Sequence, residues 1–404
     1  MAAETGCPGR PANRREEAMK IEKVETFVVE QRLQKPFHFS QWEYDRRSVC
    51  LVRITTDDGT YGWGEGYGPA EVVQAGVRFL TPLIQGRNPL HTATLWQEMY
   101  RRSLDYARRG VLLASLSAID LALWDLKGKI LGQPVSVLLG GRRRDRVRVY
   151  ATGMYFSHEP NLPQRLAEEA RGYVEGGFTA VKMKVGLGVE RDFENVKAVR
   201  EAIGPDVRLM VDANHAFSFS EALALARRIE PLGIAWFEEP LSPEDYEGYA
   251  ELRRRTDIPI AAGECEYLCA GFRRLFEGRC VDIAQPDICA AGGLTEVERI
   301  VALARAFEVN LTPHCWGTGI AFAAALHLVS TLDVLPGRLY APEPLLEMDR
   351  TENPLRDLLT IPRFEVRDGM VEVPIAPGLG VDVDERRLLS FGQGYASSHT
   401  IVNP

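Results

Sequence analysis

The sequence predicts an α/β chain in which a barrel of βα units carries an added α+β domain. Three observations point there. From Val147 onward, short apolar and β-branched runs alternate with amphipathic helical segments, the pattern of strand–helix units around a parallel sheet. Successive strand-like runs end on Lys184, Asp212, Glu238, Glu264, Asp287 and His314, 23 to 28 residues apart, or about one βα unit each. Residues 20–132 read differently, with strands first and helices after.

In order, Ile21–Val29 alternates, and Val49–Thr56 and Tyr61–Glu65 flank Asp57-Asp58-Gly59, a hairpin signal. Lys35–Asp45 is aromatic and polar without a clean period. It reads as a loop of the kind that closes over a ligand, with His38 and Trp42 in reach of substrate. Ala70–Ile84, Thr92–Tyr106 and Val111–Ile130 read as helices. In the last, Ala114, Ser117, Ala118, Leu121, Ala122 and Trp124 suggest a buried helix packed closely through small residues. Gly132, Gly140 and Gly141 mark stops and a domain boundary.

Beyond it, Leu187–Ile203 is a helix ending at Gly204-Pro205. Ser218-Phe-Ser-Glu221 is a capping box opening a helix to Ile229. Ser242-Pro243 offers an N-cap and a first-turn proline for Glu244–Arg255. Gly292-Gly293 precedes a helix over Leu294–Phe307. After Pro354, Phe364–Val366, Asp368-Gly369, Val371–Pro374 and the run from Gly378 read as hairpin and strand, expected to return to the first domain.

Composition is that of a globular protein: 404 residues, 45% hydrophobic, 26% charged, net charge −8. No basic block suggests nucleic acid, and no run of about 18 apolar residues suggests a membrane span. Seven cysteines without zinc-finger or CxxC spacing fit a reducing cytoplasm; Cys265 and Cys315 read as small buried thiols. Residues 1–18, polar and without an apolar signal core, read as a disordered extension or a start-site artefact, with Met19 the more natural start.

The strand ends carry the chemistry. Lys182 and Lys184, two residues apart on a strand, share one face at about 7 Å. K-x-K alone is most simply a solvated edge strand. Beside the other strand ends, it reads as a pair in which each ammonium holds the other's pKa down, leaving Lys184 basic and neutral near pH 7. Asp212, Glu238 and Glu264, on consecutive strands, form a hard oxygen set suited to Mg²⁺, with Mn²⁺ second. Glu239 rivals Glu238, which points inward if Phe237 packs outward. Asn214 and His215 lie in reach of substrate. Asp287 can orient His314 and raise its basicity. Glu347 is a candidate proton-bearing hydrogen-bond donor, with Glu343 its rival. Two bases flanking a metal that grips a carboxylate suit abstraction of the α proton, giving a metal-stabilised enediolate.

These residues resemble the enolase superfamily, mandelate racemase subgroup, of the mandelate racemase/muconate lactonizing enzyme family. The matching motifs are Lys182-Met-Lys184, Asp212-Ala-Asn214, Glu238-Glu-Pro240, Gly263-Glu264, Pro286-Asp287 and Pro313-His314, with Ser117–Lys127 and Gly378-Leu-Gly-Val outside the barrel. A Lys or His base working beside Mg²⁺ is the established pattern of enolase-superfamily sites. The resemblance implies a modified TIM barrel, (β/α)7β, under an α+β capping domain formed by the N-terminal region and the C-terminal tail. The corresponding partition is 19–145 cap, 146–362 barrel and 363–404 return. It also implies one Mg²⁺ per subunit and a homo-oligomer of even number.

A closer likeness is to the galactarolactone cycloisomerases and acid-sugar dehydratases. Tyr44-Asp-Arg-Arg47, Asp212-Ala-Asn-His215, Pro313–Gly319 and Glu347-Met-Asp-Arg350 carry it, which adds Arg47 and Trp316 to the substrate-binding candidates. Phe37–Glu43 departs from that likeness at His38 and Trp42, in the loop where the family selects substrates. The expected function is proton abstraction α to the carboxylate of a sugar acid or its lactone, then β-elimination, with no nucleic-acid or membrane partner. A racemase or epimerase of a 2-hydroxy acid would use the same site. A non-catalytic binding or structural protein is the alternative from another class.

Overall fold

The computed structural model describes residues 19–157, 160–337, 339 and 343–392. The expected extension over 1–18 lies outside the described residues.

The described residues begin with three antiparallel strands, β1 (Ile21–His38), β2 (Glu43–Thr56) and β3 (Tyr61–Gly66), ordered β1-β2-β3. The anticipated loop over Lys35–Asp45 is mostly strand. Pairing continues through Phe37 opposite Tyr44 and His38 opposite Glu43, leaving only residues 39–42 as the turn. A register shift between Arg32 and Phe37 breaks the two-residue alternation, so the stretch has no period to read.

Helices α1 (Ala70–Ile84) and α3 (Val111–Leu131) pack on this sheet, α2 (Thr92–Ser103) packs against those two helices, and the short α4 (Val135–Leu138) leads out. The α3 helix is buried over nearly its whole length because β3 presents a glycine at every second residue. A Cβ on Gly62 or Gly64 would stand 2.3 Å from Ala122 O or 2.1 Å from Ala118 O. Backbone lies directly against backbone, which the small residues of α3 permit.

Eight parallel strands follow: β4 (Arg146–Thr152), β5 (Ala180–Lys184), β6 (Arg208–Asp212), β7 (Ile234–Glu238), β8 (Ile260–Ala262), β9 (Ile283–Ala284), β10 (Asn310–Leu311) and β11 (Leu345–Asp349). Seven longer helices separate them: α5 (Leu162–Glu175), α6 (Val189–Ile203), α7 (Phe219–Ile229), α8 (Tyr246–Arg255), α9 (Leu268–Glu277), α10 (Gly293–Ala306) and α11 (Gly319–Thr331). Among the described residues the ladder runs β10-β9-β8-β7-β6-β5-β4-β11, the expected (β/α)7β order. Ser218 and Glu221 form the anticipated capping box on α7. The start of α8 differs from expectation. Asp245, not Ser242, caps it, because its carboxylate accepts Gly248 N–H at 2.8 Å, and the helix begins at Tyr246.

Strand alternation divides the barrel into faces. Val181, Met183, Leu209, Val211 and Phe237 join the outer core under the helices. Tyr150, Ala180, Met210, Trp236, Ala261 and Leu345 pack together as a dry floor inside the barrel. One step further along the same inward face stand Lys182, Asp212, Glu238 and Glu347, each nearly or wholly excluded from solvent.

The N-terminal layer docks on this barrel by capping two of its helices. Asp120 on α3 accepts Thr295 N–H at 2.9 Å, and Ser117 accepts Gly292 N–H at 3.0 Å, at the start of α10. Glu65 at the end of β3 accepts Thr318 N–H at 3.0 Å at the start of α11. Carboxylates thus meet unpaired N–H groups and the positive helix end. After α12 (Pro354–Leu358), β12 (Thr360–Ile361), β13 (Met370–Glu372), β14 (Asp382–Val383) and α13 (Glu385–Gly392) finish the described chain. Here β13 pairs antiparallel with β4 of the barrel. Leu379 N–H reaches Asp125 of α3 at 2.7 Å, and Asp382 accepts from Tyr61 Oη and Trp63 Nε1, both at 2.8 Å. No helix among the described residues is long and apolar enough to cross a membrane.

Replacing Gly64 by Ala is expected to lower Tm by several degrees, on the order of 1–3 kcal/mol, because β3 must move off α3. Gly172→Ala, at a helical position with nothing within 4 Å, is expected to leave Tm unchanged or raise it. Thermal melts in which both variants behave alike would contradict the interlock.

Candidate active site

The C-terminal strand ends gather the charged residues into one connected layer. Lys184 Nζ donates to Asp212 Oδ2 at 2.6 Å and to Asn214 Oδ1 at 2.8 Å. Lys182 Nζ donates to Glu238 Oε1 and lies 2.9 Å from Glu347 Oε1 and 3.5 Å from Asp212 Oδ2. Glu238 Oε2 accepts from Gln285 Nε2 at 2.7 Å and Trp236 Nε1 at 2.9 Å. Across the layer, His314 Nδ1 is 2.6 Å from Asp287 Oδ2, and its Nε2 is 3.4 Å from Glu264 Oε2. Asp287 accepts Cys289 N–H through its other oxygen at 2.6 Å.

Asp212, Glu238 and Glu264 each offer an oxygen, and these atoms lie within 4.8 Å of one another. The surroundings fit a divalent cation. Asp212, Glu238, Glu264, Asp287 and Glu347 crowd against Lys182, Lys184 and His314, with Glu239 beside His215 just beyond. Burial, with Asp212, Glu347 and Glu264 nearby, pushes the Glu238 carboxyl up to about 7 even with Lys182 in contact. An all-oxygen set with this much uncompensated negative charge is the chemistry of a hard dication.

Two sequence expectations about protonation fail. Burial and the mutual repulsion of the lysines lower the Lys184 pKa, but Asp212 more than offsets them, with Tyr155 and Glu264 adding to it. The net shift is upward, and Lys184 is an ammonium here. Glu347 is an ionised acceptor rather than a proton donor. Burial raises its pKa, but Lys182, His314 and the Thr152 hydroxyl, which donates at 2.6 Å, win, and its pKa falls to about 2. Its rival Glu343 pairs with Arg148 at 2.7 Å, away from this layer. Burial likewise disfavours the charged form of His314, yet Glu264 and Asp287 carry its pKa up to about 10, so it stands protonated.

The remaining candidates divide. Trp42, Tyr44, Tyr67, His314 and Trp316 line a cavity of about 490 Å³ above the layer, with Trp42 at the rim, 62% exposed. Tyr44 packs on Trp316 with centroids 4.8 Å apart, and Trp316 Nε1 is buried without a hydrogen-bond partner among the described residues. Arg47 also borders the cavity, but it stacks 3.8 Å over Trp316 and donates to Asp349 at 2.6 Å and to the Glu352 carbonyl at 3.3 Å. His38 stays on the strand ladder, 3.7 Å from Glu43. His215 turns from Lys184 towards Glu239 and Cys265. Ser40 and Gln41 donate to the Asn214 carbonyl at 3.0 and 2.8 Å, tying the 39–42 turn to the end of β6. Sequence reading missed Trp236 and Gln285, although each stands two residues before an inward acid and the same alternation exposes them.

The chain resembles known proteins over nearly its whole length. Residues 23–140 match the family described as mandelate racemase / muconate lactonizing enzyme, N-terminal domain, and residues 165–387 match enolase C-terminal domain-like. It is 42% identical over 373 residues to D-galactarolactone cycloisomerase of Agrobacterium fabrum, covering 92% of this chain and 99% of that one. It is 37% identical over 339 residues to arabinonate dehydratase of Saccharolobus solfataricus, covering 83% and 88%. The crystal structure of 3,6-anhydro-D-galactonate cycloisomerase from Zobellia galactanivorans superposes with TM-score 0.84 at 55% identity, covering 92% of this chain and 99% of that one.

Glu238→Gln is expected to weaken Mg²⁺ or Mn²⁺ binding at least about 10-fold more than Glu239→Gln, measured by calorimetry, as loss of a ligand exceeds loss of a neighbour. The reverse order would assign the ion to Glu239.

Proposed function

The chain belongs to the enolase superfamily, in its mandelate racemase / muconate lactonizing enzyme branch, and on that premise we propose that it is a cycloisomerase. It opens the ring of a cyclic sugar acid by β-elimination, with 3,6-anhydro-D-galactonate the first substrate to test and D-galactarolactone the second. The observation that carries this reading is the pair of proton-transfer groups, Lys184 and the His314–Asp287 dyad, on either side of one carboxylate trio. The 55% identity to an anhydro-sugar-acid cycloisomerase supports the choice of first substrate.

Asp212, Glu238 and Glu264 would hold Mg²⁺, with Mn²⁺ as substitute, which when bound supplies the positive charge that acidifies the proton α to a carboxylate. The chain's own residues do the rest. Lys184, an ammonium here, first gives a proton to solvent; the amine so formed, oriented by Asn214, takes the Cα proton. The Cα–H electrons form the Cα–Cβ double bond as the Cβ–O bond breaks. His314 gives its Nε2 proton to the departing ring oxygen, and Asp287, 2.6 Å from Nδ1, fixes the imidazole and favours its charged form. The enol then becomes a 2-keto-3-deoxy acid, an isomer of the starting ring. Lys182 offsets the charge of Glu238 and Glu347, and the Trp42–Tyr44–Trp316 wall excludes water. An even-numbered homo-oligomer in the cytoplasm belongs to the same proposal.

Dehydration of an open-chain sugar acid is the second reading, favoured by the arabinonate dehydratase likeness, and uses the same steps with hydroxide leaving as water. With substrate and Mg²⁺ in D₂O, Lys184→Ala and His314→Asn are each expected to cut turnover by roughly 10²–10⁴-fold. His314→Asn should retain deuterium exchange at Cα, and Lys184→Ala should lose it. Normal turnover by both variants would end the two-group account.

A further inference from the structure

We propose that His215, Glu239 and Cys265 form a second cation site, for a soft divalent ion of the Zn²⁺ class, set just beyond the carboxylate trio. Each donor follows one of those acids along the chain: His215 after Asp212, Glu239 after Glu238, Cys265 after Glu264. Their ligating atoms lie within 4.8 Å of one another.

The spacing suits a tetrahedral ion. His215 Nε2 is 3.1 Å from Glu239 Oε2 and 3.5 Å from Cys265 Sγ. Bond lengths of about 2.0 Å to nitrogen and oxygen and about 2.3 Å to sulfur, at tetrahedral angles, put those pairs about 3.3 and 3.5 Å apart. A hydrogen-bonded cluster accounts for the group less well. One imidazole nitrogen faces both the acid and the thiol, and it carries at most one proton. Among the described residues Glu239 Oε2, on a side chain 2% exposed, has no partner of hydrogen-bond geometry, and neither does His215 Nδ1. A buried carboxylate oxygen left unpaired is costly, and a cation at the shared point removes that cost.

The donors also separate this site from its neighbour. Thiolate and imidazole select Zn²⁺-like ions, whereas three carboxylates select Mg²⁺-like ones. His215 and Glu239 hold left-handed backbone, φ 69° and 41°, which turns their side chains off the inward alternation of the strands. The site rests on its own donors and holds whatever reaction the trio serves.

The test is zinc-edge X-ray absorption on the full-length protein with saturating Mg²⁺ and one equivalent of Zn²⁺. We expect one sulfur at about 2.3 Å in a shell otherwise of nitrogen and oxygen. Cys265→Ser should lose that sulfur, and His215→Gln should weaken Zn²⁺ binding at least about 10-fold by competition with a chromophoric chelator. A shell without sulfur, a shell with two or more sulfurs, or a sulfur that survives Cys265→Ser would overturn the proposal. The wild-type spectrum decides it even if a variant fails to fold.

Discussion

The structure depends on one electrostatic constraint: a layer of carboxylates held inside a barrel, on a floor that water does not reach. Tyr150, Met210, Trp236 and Leu345 close the barrel beneath Lys182, Asp212, Glu238 and Glu347. Buried charge is tolerated only when it is paired and hydrogen-bonded. Lys182 is therefore shared among Glu238, Glu347 and Asp212, while Trp236 and Gln285 satisfy the far oxygen of Glu238. The pairing remains incomplete, with five acids against two lysines and a histidine, and that imbalance prepares the layer for a dication. The same imbalance favours the charged forms of Lys184 and His314 in this structure.

The rest of the chain fixes the walls above this layer. The glycines of β3 let α3 lie against the strand, and α3 then reaches α10 through Ser117 and Asp120. Glu65, one residue before the end of β3, does the same for α11. Through Arg47 and Asp349, β2 is bolted to β11, and Tyr44 on that strand packs on Trp316. Side chains from the first domain thus roof a site whose charges come from the second.

Much of this was legible because a strand repeats every two residues. Lys182 with Lys184, and Phe237 outward with Glu238 inward, follow from alternation alone, and the regular interval between polar strand ends gives the barrel. What alternation cannot give is the conformation where strands end. His215 and Glu239 leave the pattern because their backbone turns left-handed, and no residue type there announces it. The bulge between Arg32 and Phe37 hid the hairpin in the same way. Protonation was misread for another reason: repulsion between Lys182 and Lys184 can be seen in the sequence, but the 2.6 Å contact of Lys184 with Asp212 cannot.

The measurement that bears most directly on the central claim is proton NMR of the wild-type reaction with 3,6-anhydro-D-galactonate and, separately, D-galactarolactone, with Mg²⁺ in D₂O. The account predicts loss of the Cα proton and a 2-keto-3-deoxy acid carrying one solvent deuterium at the adjacent carbon, with no product when the divalent cation is chelated. A Cα proton that persists in both substrates, or turnover undiminished by chelation, would contradict a cation-dependent ring-opening site.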